Sequence, residues 1–223
     1  MKVAICTPVY ADVKAEFLVS LVNMVAASGN IVVNGARLEI RTFVSRGLLP
    51  MTRNIAAKEA LDWEADFVLW ADSDMVFTSD ALVRLLRHDV EIVGVNYPRR
   101  DSGLPSASVT TTKENAEAGT VEPVESLGLG LVLMRAATLR RLRDEARKER
   151  LPLFHFELRD NGYLGEDLFF FARCRRLGIP IHLDHALSWD VAHVADRLLT
   201  NRTDADRARW SIDDSGPVEA RAR

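Results

Sequence analysis

Asp72 and Asp74 are separated by a single residue, Ser73, at the end of the apolar run DFVLWA over residues 66–71, and helix-forming residues follow from about Thr78. Two carboxylates one residue apart, at the carboxyl end of a buried strand, form a grip for a hard divalent cation such as Mg²⁺ or Mn²⁺. Such ions take oxygen ligands, engage one or two protein carboxylates, and fill the remaining shell with phosphate and water. Asp also caps backbone amides at strand ends and helix starts, so the pair taken alone reads first as a structural turn. Arg53 and Asn54 open a helix after a loop, a position suited to a phosphate or a nucleobase edge, or simply to a surface arginine. Gly165, Glu166 and Asp167 open another helix. The helix macrodipole accounts for acidic residues there, and a carboxylate near an acceptor hydroxyl can equally serve as a general base. His193, in WDVAHV at residues 189–194, could complete a metal shell with Asp74; its nitrogen suits Mn²⁺ better than Mg²⁺. A lone histidine is otherwise structural. His182 and His185 flank the last strand beside no other chemical group, and His88 and His155 receive no role.

These residues need elements to hold them. KVAICT (residues 2–7) reads as an apolar strand, residues 14–28 as a helix, and RLEIRTFVS (37–45) as a strand with period two. After a loop at 47–50, a helix over 52–62 would turn Ile55, Ala56, Ala60 and Leu61 inward. Then come the strand ending at the DSD turn, a helix over 79–87 and the strand EIVGV (91–95). Alternating strands and helices predict a mainly parallel sheet covered on both faces, an α/β/α sandwich of Rossmann-like type. Ligands then collect where Thr7, Ser45, Asp72 and Asn96 emerge from the strand ends. Residues 98–119 are polar and turn-rich, a loop suited to folding over a ligand. LGLGLVLM (127–134) reads as a glycine-broken strand and residues 136–150 as a basic amphipathic helix with a solvated face. A short strand over 154–157, a helix over 168–177 and a strand over 179–183 complete the pattern. Beyond about Thr203 the chain is charged and poor in aliphatics, which predicts one domain over 1–202 and a flexible tail over 203–223.

With 223 residues, 48% of them hydrophobic, the chain can build one good core. A net charge of −3 provides no global field for nucleic acid or anionic lipid. No signal peptide or bilayer-length run is visible, and the two cysteines, Cys6 and Cys174, read as reduced packing residues, which together predict a cytoplasmic protein.

The series TPVY, TRNIAAKEAL, VLWADSDMVF, EIVGVNYPRR, SLGLGLVLMR, GYLGEDLFFFARCRRLGIPIHLD and AHV, in that order, resembles the nucleotide-sugar glycosyltransferases of the GT-A fold. It looks most like the short family 2-type members of bacterial and phage genomes, over about residues 3–194. The resemblance implies a metal-dependent hexosyltransferase-type enzyme that moves a sugar from a UDP- or GDP-sugar to a saccharide, lipid-linked or other hydroxyl acceptor, with inversion. It implies Mn²⁺ or Mg²⁺ as cofactor; the charge balance implies no nucleic-acid partner, and the choice between monomer and homo-oligomer stays open. By position, Asp74 would hold the metal and Asp72 would face the ribose or the metal. Thr7, Pro8 and Tyr10 would border the nucleoside, Arg53 would approach the base or diphosphate with Asn54 and Ser73 nearby, and Gly128 and Gly130 would leave room for the donor sugar. Glu166 and Asp167 match the family's ED pair, the second being the usual base, and His193 matches a histidine that closes the metal site. The chain has Val194 and Ala195 where the family carries a glycine.

Two other readings use the same residues. DSDMV also fits the DxDx(T/V) pattern of haloacid-dehalogenase-type phosphatases, with Asp72 as nucleophile, although two strands precede it here and Asp213 and Asp214 fall in the tail. A non-catalytic nucleotide-sugar-binding module would carry the same fold without turnover.

Overall fold

The computed structural model describes residues 1–29, 31–33, 35–160, 162–195 and 198–201. The tail expected over 203–223 lies outside the described residues.

Strand β1 (Lys2–Val9) is buried from its second residue onward, and helix α1 (Ala15–Ser28) turns Phe17, Ser20, Met24 and Ser28 inward. A hairpin of β2 (Val32–Val33) and β3 (Ala36–Arg37) leads into β4 (Glu39–Arg46). Helix α2 (Leu49–Asp62) begins ahead of the predicted residue 52, because Pro50 sits in its first turn, where a missing N–H leaves no bond unmade. It buries Thr52, Arg53, Ala56, Ala57, Ala60 and Leu61, whereas Ile55, expected inside, is 43% exposed. Next come β5 (Phe67–Ala71), wholly buried, β6 (Met75–Val76), α3 (Ala81–Arg87) and β7 (Ile92–Gly94). The polar segment after β7 contains a short helix, α4 (Lys113–Glu117), started by Thr112, whose hydroxyl accepts from Asn115 N. β8 (Val121–Pro123), β9 (Leu131–Arg135) and α5 (Ala136–Lys148) follow. In place of the strand expected at 154–157 there is a hairpin, β10 (Glu157–Arg159) with β11 (Gly162–Leu164). The chain continues through α6 (Glu166–Arg176), β12 (His182–Asp184), α7 (His185–Trp189), β13 (Ala192–Val194) and β14 (Leu198–Thr200).

The central sheet has seven strands in the order β4-β1-β5-β9-β7-β12-β8. β1 lies parallel to β4 and β5, and β7 parallel to β12, while β9 runs antiparallel to both its neighbours and β8 antiparallel to β12. Alternate residues of the buried strands serve opposite faces. Ala4, Cys6, Val68 and Trp70 pack with α2, α5 and α6, and Val3, Ile5, Leu69 and Ala71 pack with α1 and α3. This is the expected α/β sandwich with a mainly parallel sheet. Because β9 is reversed, the glycine run ahead of it meets the edge where β5 and β7 end: Asp72 N donates to Gly130 O at 2.9 Å and Val95 N to Leu131 O at 3.2 Å. A second small sheet, β14-β13-β6, pairs His193 with Met75 and so carries the late histidine back to the DSD turn.

Candidate active site

The DSD turn is fixed by backbone contacts from three directions. Besides the bond to Gly130, Met75 N donates to Asp72 O at 3.1 Å and Val194 N to Asp74 O at 2.8 Å. Ser73 holds the turn against the start of α1: its hydroxyl donates to Asp12 O at 3.2 Å and its carbonyl accepts from Lys14 N at 2.9 Å. Its hydroxyl, expected to meet the donor, is thus engaged in holding the loop. The two aspartates on either side have different neighbours.

Asp72 belongs to a buried ionic group. Arg53 Nη2 lies 2.9 and 3.2 Å from its two oxygens, and Arg53 Nε lies 3.3 Å from Glu166 Oε1. The guanidinium is 2% exposed and stands 5.6 Å from the Trp70 ring centroid. Burial lifts the Asp72 carboxyl to about 6, with Asp74 and Glu166 adding to the rise and Arg53 opposing it. Arg53 therefore organises two carboxylates rather than standing free for a diphosphate. Glu166 is its buried partner and not an open base. Asn54 is also structural: its amide donates to Pro50 O at 2.6 Å and Phe154 O at 2.7 Å, and accepts from Leu153 N and Phe154 N. One bond stays within α2 and the other three clamp Leu153 and Phe154 to it, so all its hydrogen-bonding groups are used.

Asp74 faces the other way. Its Oδ2 is 3.4 Å from His193 Nε2 and 2.9 Å from Arg100 Nη1. His193 Nδ1 lies 3.1 Å from Pro98 O, and a carbonyl can only accept, which assigns the proton to Nδ1. With Nε2 protonated as well, the ring is a cation that donates to Asp74; without that proton its Nε2 lone pair faces the same carboxylate oxygen, the form a metal ion would need. Burial resists ionisation of Asp74, but His193 and Arg100 outweigh it and hold the carboxyl below its ordinary range. An anionic oxygen and an imidazole lone pair converging on one point fit a divalent cation. No three His, Cys, Asp or Glu side chains assemble as a metal set among the described residues, so a cation here would have two side chains and would need substrate or water to fill its shell.

Asp167 is half-buried at the start of α6, and its Oδ1 accepts from Leu168 N at 2.7 Å. Burial raises its carboxyl above the ordinary range, and Glu166 raises it further. Tyr97 links the two halves of the site. Its buried phenol accepts from Gly130 N at 3.0 Å, its ring meets His193 edge-on at 5.2 Å, and burial, then Asp72 and Asp167, hold its proton on. This side chain gives the glycines a packing role. A Cβ on Gly130 would stand 2.6 Å from Tyr97 Cζ, and one on Gly128 would also strike the phenol. Both glycines make room for Tyr97. Thr7 and Pro8 are buried at the end of β1, while Tyr10 beyond them is 69% exposed. Thr7 Oγ1 and Arg53 Nη1 are among the buried polar atoms without a protein partner.

Two of these residues, Tyr97 and Arg100, were not assigned from sequence. Both lie in the NYPRR run just past β7, and an aromatic and two cations leaving a central strand at its carboxyl end were the available signal. His185, given no neighbour from sequence, is fully buried between Thr111 Oγ1 at 3.2 Å and Glu122 Oε1 at 2.8 Å, and His88 meets Asp184 at 2.9 Å. Both are structural and lie outside this group. The phosphatase reading meets an obstacle in Asp72, because both its oxygens already accept from Arg53.

No protein-family model matches this chain, and no curated protein matches its sequence significantly. Solved structures do share its architecture. Protein A197 from STIV superposes with a TM-score of 0.56 at 16% identity, over 92% of this chain and 95% of the other. A mutant of a Drosophila beta-1,4-galactosyltransferase 7, in complex with manganese, UDP-Gal and xylobiose, gives 0.50 at 15% identity over 92% and 73%. GalNAc-T7 with UDP, GalNAc and Mn²⁺ gives 0.50 at 8% identity, over 87% of this chain and 43% of that one. At these identities the likeness is one of fold. The fold is the GT-A fold. Among the described residues no helix is long and apolar enough to cross a membrane.

Proposed function

We propose that residues 1–202 form a metal-dependent glycosyltransferase that moves a hexose from a UDP- or GDP-sugar to a hydroxyl of a saccharide, lipid-linked or other acceptor, with inversion. The observation that carries this reading is the division of labour in the DSD turn. Asp72 is neutralised by Arg53, while Asp74 faces His193 Nε2 at 3.4 Å. Asp74 and His193 would hold Mn²⁺ or Mg²⁺, and Mn²⁺ is the ion named with two of the similar folds. A bound cation there would supply charge neutralisation for a departing diphosphate.

The remaining chemistry falls to the chain's own residues. Thr7 and Pro8 would back the nucleoside from the end of β1, with Tyr10 at the rim, while Thr7 Oγ1 and Arg53 Nη1 are buried behind them. Asp72 supports the ribose side or the cation from its Arg53 clamp. Asp167 takes the proton of the acceptor hydroxyl as its oxygen bonds to the anomeric carbon and the bond from that carbon to the diphosphate breaks. The raised carboxyl of Asp167 favours this role, because a base of higher pKa accepts a proton more readily. Tyr97, with its proton held on, keeps the glycine turn and His193 in place. Buried thiols at Cys6 and Cys174 suit a cytoplasmic setting.

A thermal-shift panel of UDP-, GDP-, CMP- and dTDP-sugars, each with and without Mn²⁺, tests the proposal. One nucleotide class should stabilise the protein in a Mn²⁺-dependent way, since ligand stabilisation follows occupancy. No Mn²⁺-dependent shift with any of them would refute it.

A further inference from the structure

We propose that Arg100 is a displaceable counter-ion of Asp74: it holds the carboxylate while no divalent cation is bound, and exchanges it for donor phosphate oxygens when one enters. The inference rests on the reading of Asp74 and His193 as cation ligands and adds a residue that reading does not contain.

Three observations support it. Arg100 Nη1 and His193 Nε2 approach the same atom, Asp74 Oδ2, at 2.9 and 3.4 Å. A divalent ion bound to that oxygen would sit at about 2.0–2.2 Å, inside the guanidinium's own contact distance, and would repel it. The two cations therefore compete for one seat. Second, the Arg100 side chain is 56% exposed, in contrast to Arg53, which is 2% exposed and fixed by two carboxylates. Arg100 can leave without opening a core. Third, its backbone stays close to the site whichever way the side chain points. Pro98 O is bound to His193, Arg99 N donates to Leu104 O at 2.8 Å, Gly103 N to Arg99 O at 2.8 Å, and Pro98 bridges to Pro105. A guanidinium released beside an arriving diphosphate has its preferred partner at hand.

The exchange makes cation and diphosphate binding cooperative. A cation arriving alone must break the Arg100–Asp74 pair, whereas one arriving with a diphosphate gives Arg100 a new anion. By linkage the same factor appears in either order of binding.

The test compares wild type with Arg100→Gln, using the electron paramagnetic resonance signal of free Mn²⁺ at fixed pH and salt. Each protein is titrated alone and with UDP or GDP, whichever wild type binds more tightly. Arg100→Gln should bind Mn²⁺ alone about three- to fivefold more tightly, the range a partly exposed ion pair supports. At saturating Mn²⁺ it should bind the nucleoside diphosphate about tenfold more weakly, the scale of a charge-assisted contact. Unchanged or weaker Mn²⁺ binding by the variant, or unchanged nucleotide binding, would overturn the exchange while leaving Asp74 and His193 as ligands. Failure of either protein to bind Mn²⁺, with or without nucleotide, would overturn both readings.

Discussion

Arg53 Nη2 lies 2.9 Å and 3.2 Å from the two oxygens of Asp72, so a single buried nitrogen spans the first carboxylate of the DSD turn. This pairing makes the two aspartates unequal. Asp72, two residues upstream of Asp74, already has a cation; Asp74 has an imidazole and a half-exposed guanidinium. A cation that enters the site meets the less committed of the two.

The pH dependence of stability should carry the mark of Asp72. Its carboxyl, ordinarily at 3.8, is raised to about 6 in the fold. A raised folded value means that the folded state holds the proton more tightly, so the stabilisation is complete below 3.8 and is lost as pH rises through about 6. The loss is at most about 3 kcal/mol. In EDTA, urea midpoints measured from pH 3.5 to 7.5 should fall for wild type relative to Asp72→Asn over that window. Parallel curves for the two proteins would contradict the raised carboxyl.

Asp167→Asn should leave the affinity for nucleoside diphosphate plus Mn²⁺ unchanged and reduce transfer by about 10²–10⁴-fold, the usual contribution of a general base. Because burial and Glu166 raise the Asp167 carboxyl, activity should climb with pH through a limb above the ordinary carboxylate range. A donor-binding module without turnover would tolerate the substitution. Near-wild-type transfer by the variant would remove Asp167 from the mechanism.

Gly130→Ala should destabilise the protein by about 1–3 kcal/mol, as overpacking does, because the new methyl would stand 2.6 Å from Tyr97 Cζ. A double-mutant cycle with Tyr97→Leu checks the cause. The two substitutions should cost less together than the sum of the singles, since shortening Tyr97 makes room for the new methyl. Strict additivity would mean that the glycine serves something other than the tyrosine.

Much of this arrangement can be read from the chain. The buried alternation of β1 and β5, the carboxylates after β5, and the order of Arg53, Glu166, Asp167 and His193 all have direct sequence signals, and the fold brings these residues to one edge of the sheet. Strand direction does not show in periodicity: residues 131–135 read as another apolar strand, and only pairing reveals that β9 is reversed and delivers Gly130 to Asp72. Side-chain contacts were not legible where a residue holds distant parts of the chain together. Asn54, Ser73 and Gly128 have the right types and neighbours for a ligand, yet their contacts are to Phe154, Asp12 and Tyr97, residues 31 to 100 positions away. Arg100 was missed for the opposite reason: a charged residue in a polar loop has no pattern until the fold shows which carboxylate it reaches.

The most direct test of the account is calorimetric titration of Asp74→Asn and wild type with Mn²⁺ and the nucleoside diphosphate that stabilises wild type best. Asn keeps the shape of the turn and its backbone bonds to Val194, and removes only the charge. The account predicts Mn²⁺-dependent nucleotide binding in wild type, and in Asp74→Asn a loss of at least about tenfold, the scale of one charge-assisted ligand contact. Equal Mn²⁺-dependent affinity in the two proteins would contradict it.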